Sequence, residues 1–241
     1  TLSYQGISDR VARAYIEKHG CVGWREIDTA LRSTCSACFR LQSYWTYEGC
    51  RYDKGSRTCA EPELITSCPV PGHNLRNGKL NQAAYSLYLF MRDIAGGDFI
   101  GWIDAQLDAA ERTQVDFHDA VHGTLIAPLR NVFGLSDKVL TMTLSGLLMA
   151  NRRERPRWFR AGSGMVAIDT LVHNFLHRSG ILDQHHAVHE YGPRCYGDNG
   201  CAAIIRRAAA GIDARQFNPS YPQVFPRFVQ HAIWRFCALD G

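Results

Sequence analysis

Cys35, Cys38, Cys50, Cys59 and Cys68 crowd into one short stretch, and the first two have the Cys-x-x-Cys spacing of a metal knuckle. Two thiolates on one tight turn can share a soft cation, and two later cysteines complete a tetrahedral set. Five candidates exceed the four that such a site needs. Zinc is the expected occupant, with an iron–sulfur cluster as the alternative because Cys68-Pro69 has the dipeptide of cluster ligation. The chain holds nine cysteines; an odd number with a Cys-x-x-Cys argues against a disulfide framework and for a reducing compartment. Farther on, His185, His186 and His189 precede Cys195 and Cys201. Without a second knuckle these read as surface histidines and packed thiols, with a second metal site as the alternative.

A second group of residues bears on phosphate. Arg152, Arg153, Arg155, Arg157 and Arg160 are interrupted by one acid, Glu154, and form either a solvated loop or a phosphate-contacting patch. Just upstream, an apolar segment with Leu125, Ile126, Leu129, Val132 and Phe133 runs into the turn Gly134-Leu135-Ser136 and a new helix opening Asp137-Lys138. Gly134 supplies freedom in φ, and Ser136 is placed to cap. The N–H groups at the start of that helix, with its dipole, make a phosphate seat indifferent to base sequence. Asp169 follows Met165-Val166-Ala167-Ile168 and opens a helix expected to bury Leu171, Val172, Phe175 and Leu176 and to expose His173, Asn174, His177 and Arg178. Taken alone, that aspartate is a helix N-cap.

The elements that must position these groups are helices. Ser8, Val11, Ala14, Tyr15, Lys18 and Gly20 mark a first helix, and 24–32 a second. From 34 to 79 periodicity disappears, turn residues alternate with cysteines, and bound metal is the expected source of order. Helical patterns then cover 82–95, 98–111, 123–133, 136–150, 170–179, 201–211 and 224–237, with no alternating strand pattern and no internal repeat. The expected class is all-α with a small cysteine-rich, metal-bound insert. Its organisation is N-terminal helices over 1–33, the insert over 34–79, and a helical core over 80–241 whose hairpin spans about 123–150.

Two motifs in that core resemble the helix-hairpin-helix DNA glycosylase superfamily, which includes endonuclease III and the 8-oxoguanine glycosylases. Val132-Phe133-Gly134-Leu135-Ser136-Asp137-Lys138-Val139 stands in the frame of the family's hairpin, and Val166-Ala167-Ile168-Asp169-Thr170 in that of its catalytic aspartate motif. Leu80-Asn81-Gln82-Ala83-Ala84 stands where the family has a further conserved segment. The resemblance covers roughly 80–180. It departs from the family in three ways: Ser136 replaces a second hairpin glycine, the interval from Lys138 to Asp169 is longer, and the family's C-terminal cysteine cluster is not reproduced.

The resemblance implies an enzyme that excises a damaged or modified base from DNA. Lys138 would be the amine that attacks sugar C1′ and forms a Schiff base, giving AP lyase activity, and Asp169 the carboxylate facing the sugar cation. Gly134, Ser136, Arg152 and Arg153 would contact DNA, and Gln82 would be the wedge that fills the space of the extruded base. A monofunctional glycosylase relying on Asp169 alone, and a non-catalytic DNA-binding protein with a structural metal, are the alternatives. A net charge of +4 permits nucleic-acid binding without demanding it. No apolar run reaches the roughly 18–20 residues of a membrane span, and Thr1-Leu2-Ser3-Tyr4 lacks the pattern of a secretion signal. The expectation is therefore a monomer in the cytoplasm (nucleoid) or nucleus, not secreted and not at a membrane.

Overall fold

The computed structural model describes residues 13–14, 16–18, 23–34 and 38–239. Ser8, Val11, Tyr15 and Gly20 of the expected first helix lie outside them, as does Cys35; residues 13–14 and 16–18 are helical. The protein is mostly helical, 60% helix against 2% strand, which bears out the all-α class. No helix among the described residues is long and apolar enough to cross a membrane.

The chain divides into two compact units, one holding 106–130 and 136–239, the other the described residues up to 105 together with 131–135. In the latter, α1 (Trp24–Thr34) and α2 (Asn81–Asp93) pack with the irregular segment between them. Ile27, Leu31, Leu41, Tyr47, Val70, Tyr85 and Leu89 share one buried cluster. The irregular segment therefore shares an apolar core with both helices, beside the bound metal expected to order it. Its backbone carbonyls are met by side chains: Asn81 Nδ2 donates to Val70 O at 2.8 Å, and Tyr52 Oη to Gly78 O at 2.8 Å. A small antiparallel ribbon, β1 (Tyr52–Asp53) and β2 (Thr58–Cys59), pairs Tyr52 with Cys59. The helix α3 (Phe99–Glu111) is opened by Asp98, whose Oδ1 accepts from Gly101 N at 2.9 Å, as its sequence indicated.

In the other unit, the helix expected over 123–133 starts and ends earlier: α4 (Phe117–Val121), a π turn (His122–Ile126) and the short α5 (Ala127–Leu129) follow one another without a gap. Pro128 lacks the N–H that an unbroken α-helix would use, and Ala127 N reaches back five residues to His122 O. Then come α6 (Asp137–Met149) and α7 (Pro156–Gly164). The second of these was not expected; it takes up the latter half of the arginine stretch and buries Trp158. Gly162 permits close packing, since a Cβ there would stand 2.9 Å from Leu148 Cβ, and Ser145 Oγ donates to Gly162 O at 2.8 Å. The helices α8 (Thr170–Arg178), α9 (Ile181–Gln184), α10 (Cys201–Ala210) and α11 (Pro226–Leu239) complete the unit. Val166, Ile168, Val172, Leu176, Leu182 and Ile204 form its core.

Candidate functional site

Two short helix starts bring the expected pair together. Ser136 has extended backbone and its hydroxyl accepts from Val139 N at 3.5 Å, which fixes where α6 begins and puts Lys138 in its first turn. Asp169 is likewise extended (φ −115°, ψ −177°), and its Oδ1 accepts from Val172 N at 3.0 Å. With one carboxylate oxygen spent on the cap, the other, Oδ2, lies 4.0 Å from Lys138 Nζ. Neither side chain is sealed off: 27% of Lys138 and 15% of Asp169 remain exposed. The arrangement sets an amine and a carboxylate, both partly exposed, at ion-pair distance from each other.

The hairpin turn has the geometry its residues suggested. Gly134 takes a left-handed φ of 75°, and Gly134 and Ser136 are both exposed. Asp137 would repel a phosphate approaching the start of α6, but Arg130 holds it in a two-pronged pair, Nε to Oδ1 at 2.6 Å and Nη2 to Oδ2 at 2.7 Å. That hydrogen-bonded partner raises the Arg130 pKa, and the local charge is balanced.

A pocket shares walls with the same elements. It includes Thr141, one turn along α6 from Lys138, and Val166, three residues before Asp169. Thr141 Oγ1 is buried without a hydrogen-bond partner. His122 stacks on Tyr196 at 6.2 Å between ring centroids, and Tyr196 Oη accepts from Ile168 N at 2.9 Å. Burial lowers the pKa of both His118 and His122, which favours their neutral form. His118 rests against Gly164, where a Cβ would fall 2.0 Å from its Nδ1.

Other expected site residues lie elsewhere. Gln82 is buried at 1% exposure on α2, with its Nε2 donating to Cys50 O at 3.4 Å; that placement does not suit a wedge side chain, which must stand free to enter a duplex. The arginine stretch is largely committed to the protein. Arg157 pairs with Asp108, Arg160 with Glu111, and Arg152 donates to Ser220 O while lying over the Phe159 ring. Arg153 is exposed in the turn before α7.

The cysteine-rich segment places Cys38, Cys50, Cys59 and Cys68 close enough for their charges to interact. Burial first, then those neighbours, pushes the Cys68 thiol up to about 12, and burial raises Cys50 as well. The compact ligand group among the described residues is a different one. His173, His189, Cys195 and Cys201 are all buried, with ligand atoms within 4.8 Å of one another, and could hold a metal ion such as zinc. His173 was expected on the exposed face of its helix and His189 on the surface; both face inward. Conversely, Leu171 is exposed, whereas His185 and His186 are exposed as expected. A period of 3.6 residues puts position 173 at the edge of the apolar stripe, and no pattern within α8 signals its partners on other elements.

No protein-family profile, curated protein or solved structure matches the chain.

Proposed function

We propose that this protein is a DNA glycosylase of the helix-hairpin-helix type, with AP lyase activity, acting on DNA that carries a damaged or modified base. The observation that carries the reading is the 4.0 Å approach of Lys138 Nζ to Asp169 Oδ2, between the two residues that stand at the catalytic positions of the two motifs.

In this reading the exposed turn at Gly134 and Ser136 takes a phosphate on the first N–H groups of α6, and the target nucleotide is turned out of the stack. Cleavage of the bond from C1′ to the base nitrogen leaves positive charge on the sugar, which the Asp169 carboxylate stabilises. The unprotonated amine of Lys138 forms a bond to C1′ as the base departs with the bonding electrons. Loss of a proton from nitrogen and opening of the sugar ring give the Schiff base, from which the 3′ phosphate is eliminated after removal of a C2′ proton. The pocket lined by Thr141, His118, His122 and Tyr196 would receive the extruded base, with the partnerless Thr141 hydroxyl as a hydrogen-bonding group. The cysteine-rich segment serves in this reading as a separate structural element that binds zinc or an iron–sulfur cluster through Cys38, Cys50, Cys59 and Cys68, with Cys35 as the fifth candidate.

A monofunctional enzyme would use Asp169 and leave Lys138 idle, and a non-catalytic DNA-binding protein would use neither. The closeness of the amine to the carboxylate favours the bifunctional reading. The test is a panel of duplexes and single strands, each with one lesion or modified base, scored separately for base release and for strand cleavage. Release with cleavage at one or more lesions is the expected result; release without cleavage selects the monofunctional enzyme, and no release on any substrate rejects the proposal.

A further inference from the structure

The buried His173, His189, Cys195 and Cys201 are arranged as ligands, and their geometry is independent of whether the chain acts on DNA. His173 Nδ1 lies 3.4 Å from Cys201 Sγ and 3.5 Å from Cys195 Sγ, and Cys201 Sγ lies 3.5 Å from His189 Nε2. A tetrahedral ion with Zn–S of about 2.3 Å and Zn–N of about 2.0–2.1 Å has sulfur-to-nitrogen edges of roughly 3.5 Å. Three edges of the polyhedron therefore have the length zinc requires.

The backbone supplies the rest. A carbonyl can only accept, so the 2.5 Å contact between His189 Nδ1 and Ala187 O puts the proton on Nδ1 and turns the Nε2 lone pair toward the cluster. Gly200 lets the two thiols converge: a Cβ there would fall 2.2 Å from Arg194 O and 2.7 Å from the Cys195 carbonyl. Cys195 and Cys201 are free thiols.

We propose that His173, His189, Cys195 and Cys201 bind one zinc ion as a structural centre joining α8, the segment over 185–200 and the first residue of α10. Two thiolates and two neutral imidazoles balance the dication, and the closed four-ligand set leaves no position for water, as in structural rather than catalytic zinc sites. His173 lies four residues after Asp169 on α8, about 6 Å along the helix axis, so the ion fixes the helix that carries the carboxylate.

The test uses the full chain purified without added metal and assayed for zinc and iron together, then loaded with cobalt in place of zinc. The expected result is one equivalent of zinc, beyond any metal held by the cysteine-rich segment, that Cys195→Ala and Cys201→Ala both lose, and a visible cobalt spectrum of the tetrahedral type. His173→Cys keeps a four-ligand set and covers the case in which the alanine variants do not fold. It should retain the metal, with thiolate-to-cobalt absorbance rising by about half as two thiolates become three. Wild-type protein that takes up neither zinc nor cobalt overturns the proposal, as do folded alanine variants with undiminished zinc. Unchanged thiolate absorbance in His173→Cys would remove His173 from the site. None of these readouts involves DNA, so the proposal and the glycosylase reading fail separately.

Discussion

Lys138 Nζ and Asp169 Oδ2 lie 4.0 Å apart although the residues are separated by 31 positions in the chain. Each sits within the first turn of its helix or at its cap, and each helix start is set by a side-chain oxygen, that of Ser136 or that of Asp169 itself. Between them α6 and α7 pack closely through Gly162, and the arginine-rich stretch in this interval forms a turn and a helix without separating the pair.

The roles of Asp169 as cap and as charge can be pulled apart. Asn caps about as well as Asp, so Asp169→Asn should melt within about 1 kcal/mol of wild type. Losing the charge beside a sugar cation should slow base release by roughly 10²–10³-fold, the scale for one electrostatic stabiliser. Single-turnover excision beside a melting curve measures both. A rate within a few-fold of wild type would leave Asp169 as a cap alone.

The arginines divide by their partners. Arg157 and Arg160 are paired with acids on α3, so neutralising them should leave the salt dependence of DNA affinity almost unchanged. Converting Arg152 and Arg153 to Gln should flatten the slope of log affinity against log salt by roughly 1–2 units. Identical slopes in the two double variants would return the whole stretch to a solvated role.

Two glycines in one unit make opposite predictions. At Gly164 a Cβ would collide with the half-buried His118 ring, so Gly164→Ala should cost about 1–3 kcal/mol. Gly146 is exposed on α6 with nothing within 4 Å of an added Cβ, and Gly146→Ala should stabilise by about 0.4–1 kcal/mol. Urea melts of both variants check the pair; a neutral Gly164→Ala would mean that His118 moves freely and does not wall the pocket.

Metal removal should be felt as lost stability. A site loaded at about a thousand times its dissociation constant contributes about 4 kcal/mol, and for a chain of this size that corresponds to a fall in the melting midpoint of about 8–16 °C. Melting curves with and without a zinc chelator measure it, and the shift should vanish in Cys195→Ala if this site is its source. A chelator shift of equal size in that variant would locate the stabilising metal in the cysteine-rich segment instead.

What was legible in the sequence was what neighbouring residues determine. Ser136, Asp98 and Asp169 cap where their types indicated, Gly134 turns left-handed, and the helical class follows from the apolar periodicity. Contacts between distant segments were legible only through motif order, which paired Lys138 with Asp169. The ligand set of His173, His189, Cys195 and Cys201 has no such motif, because one ligand sits alone on α8 and the others follow at irregular spacing, His189 and Cys195 in the segment over 185–200 and Cys201 at the start of α10. Helix α7 carries Pro156, Gly162 and Gly164, residue types that disfavour a helix interior, yet Pro156 opens the helix and Gly162 serves close packing. The π turn lies just before Pro128, which lacks the N–H of a regular α-helix, and the apolar pattern around it carries no sign of that turn.

The most direct measurement of the central claim is borohydride trapping on a duplex with a single abasic site, which requires no knowledge of the base that is excised. Wild type should give a covalent protein–DNA adduct, and peptide mapping should find it on Lys138. Lys138→Gln should bind the same duplex within a few-fold and give no adduct. An adduct formed as readily by Lys138→Gln, or mapped to another amine, would contradict the assignment of Lys138 as the nucleophile paired with Asp169.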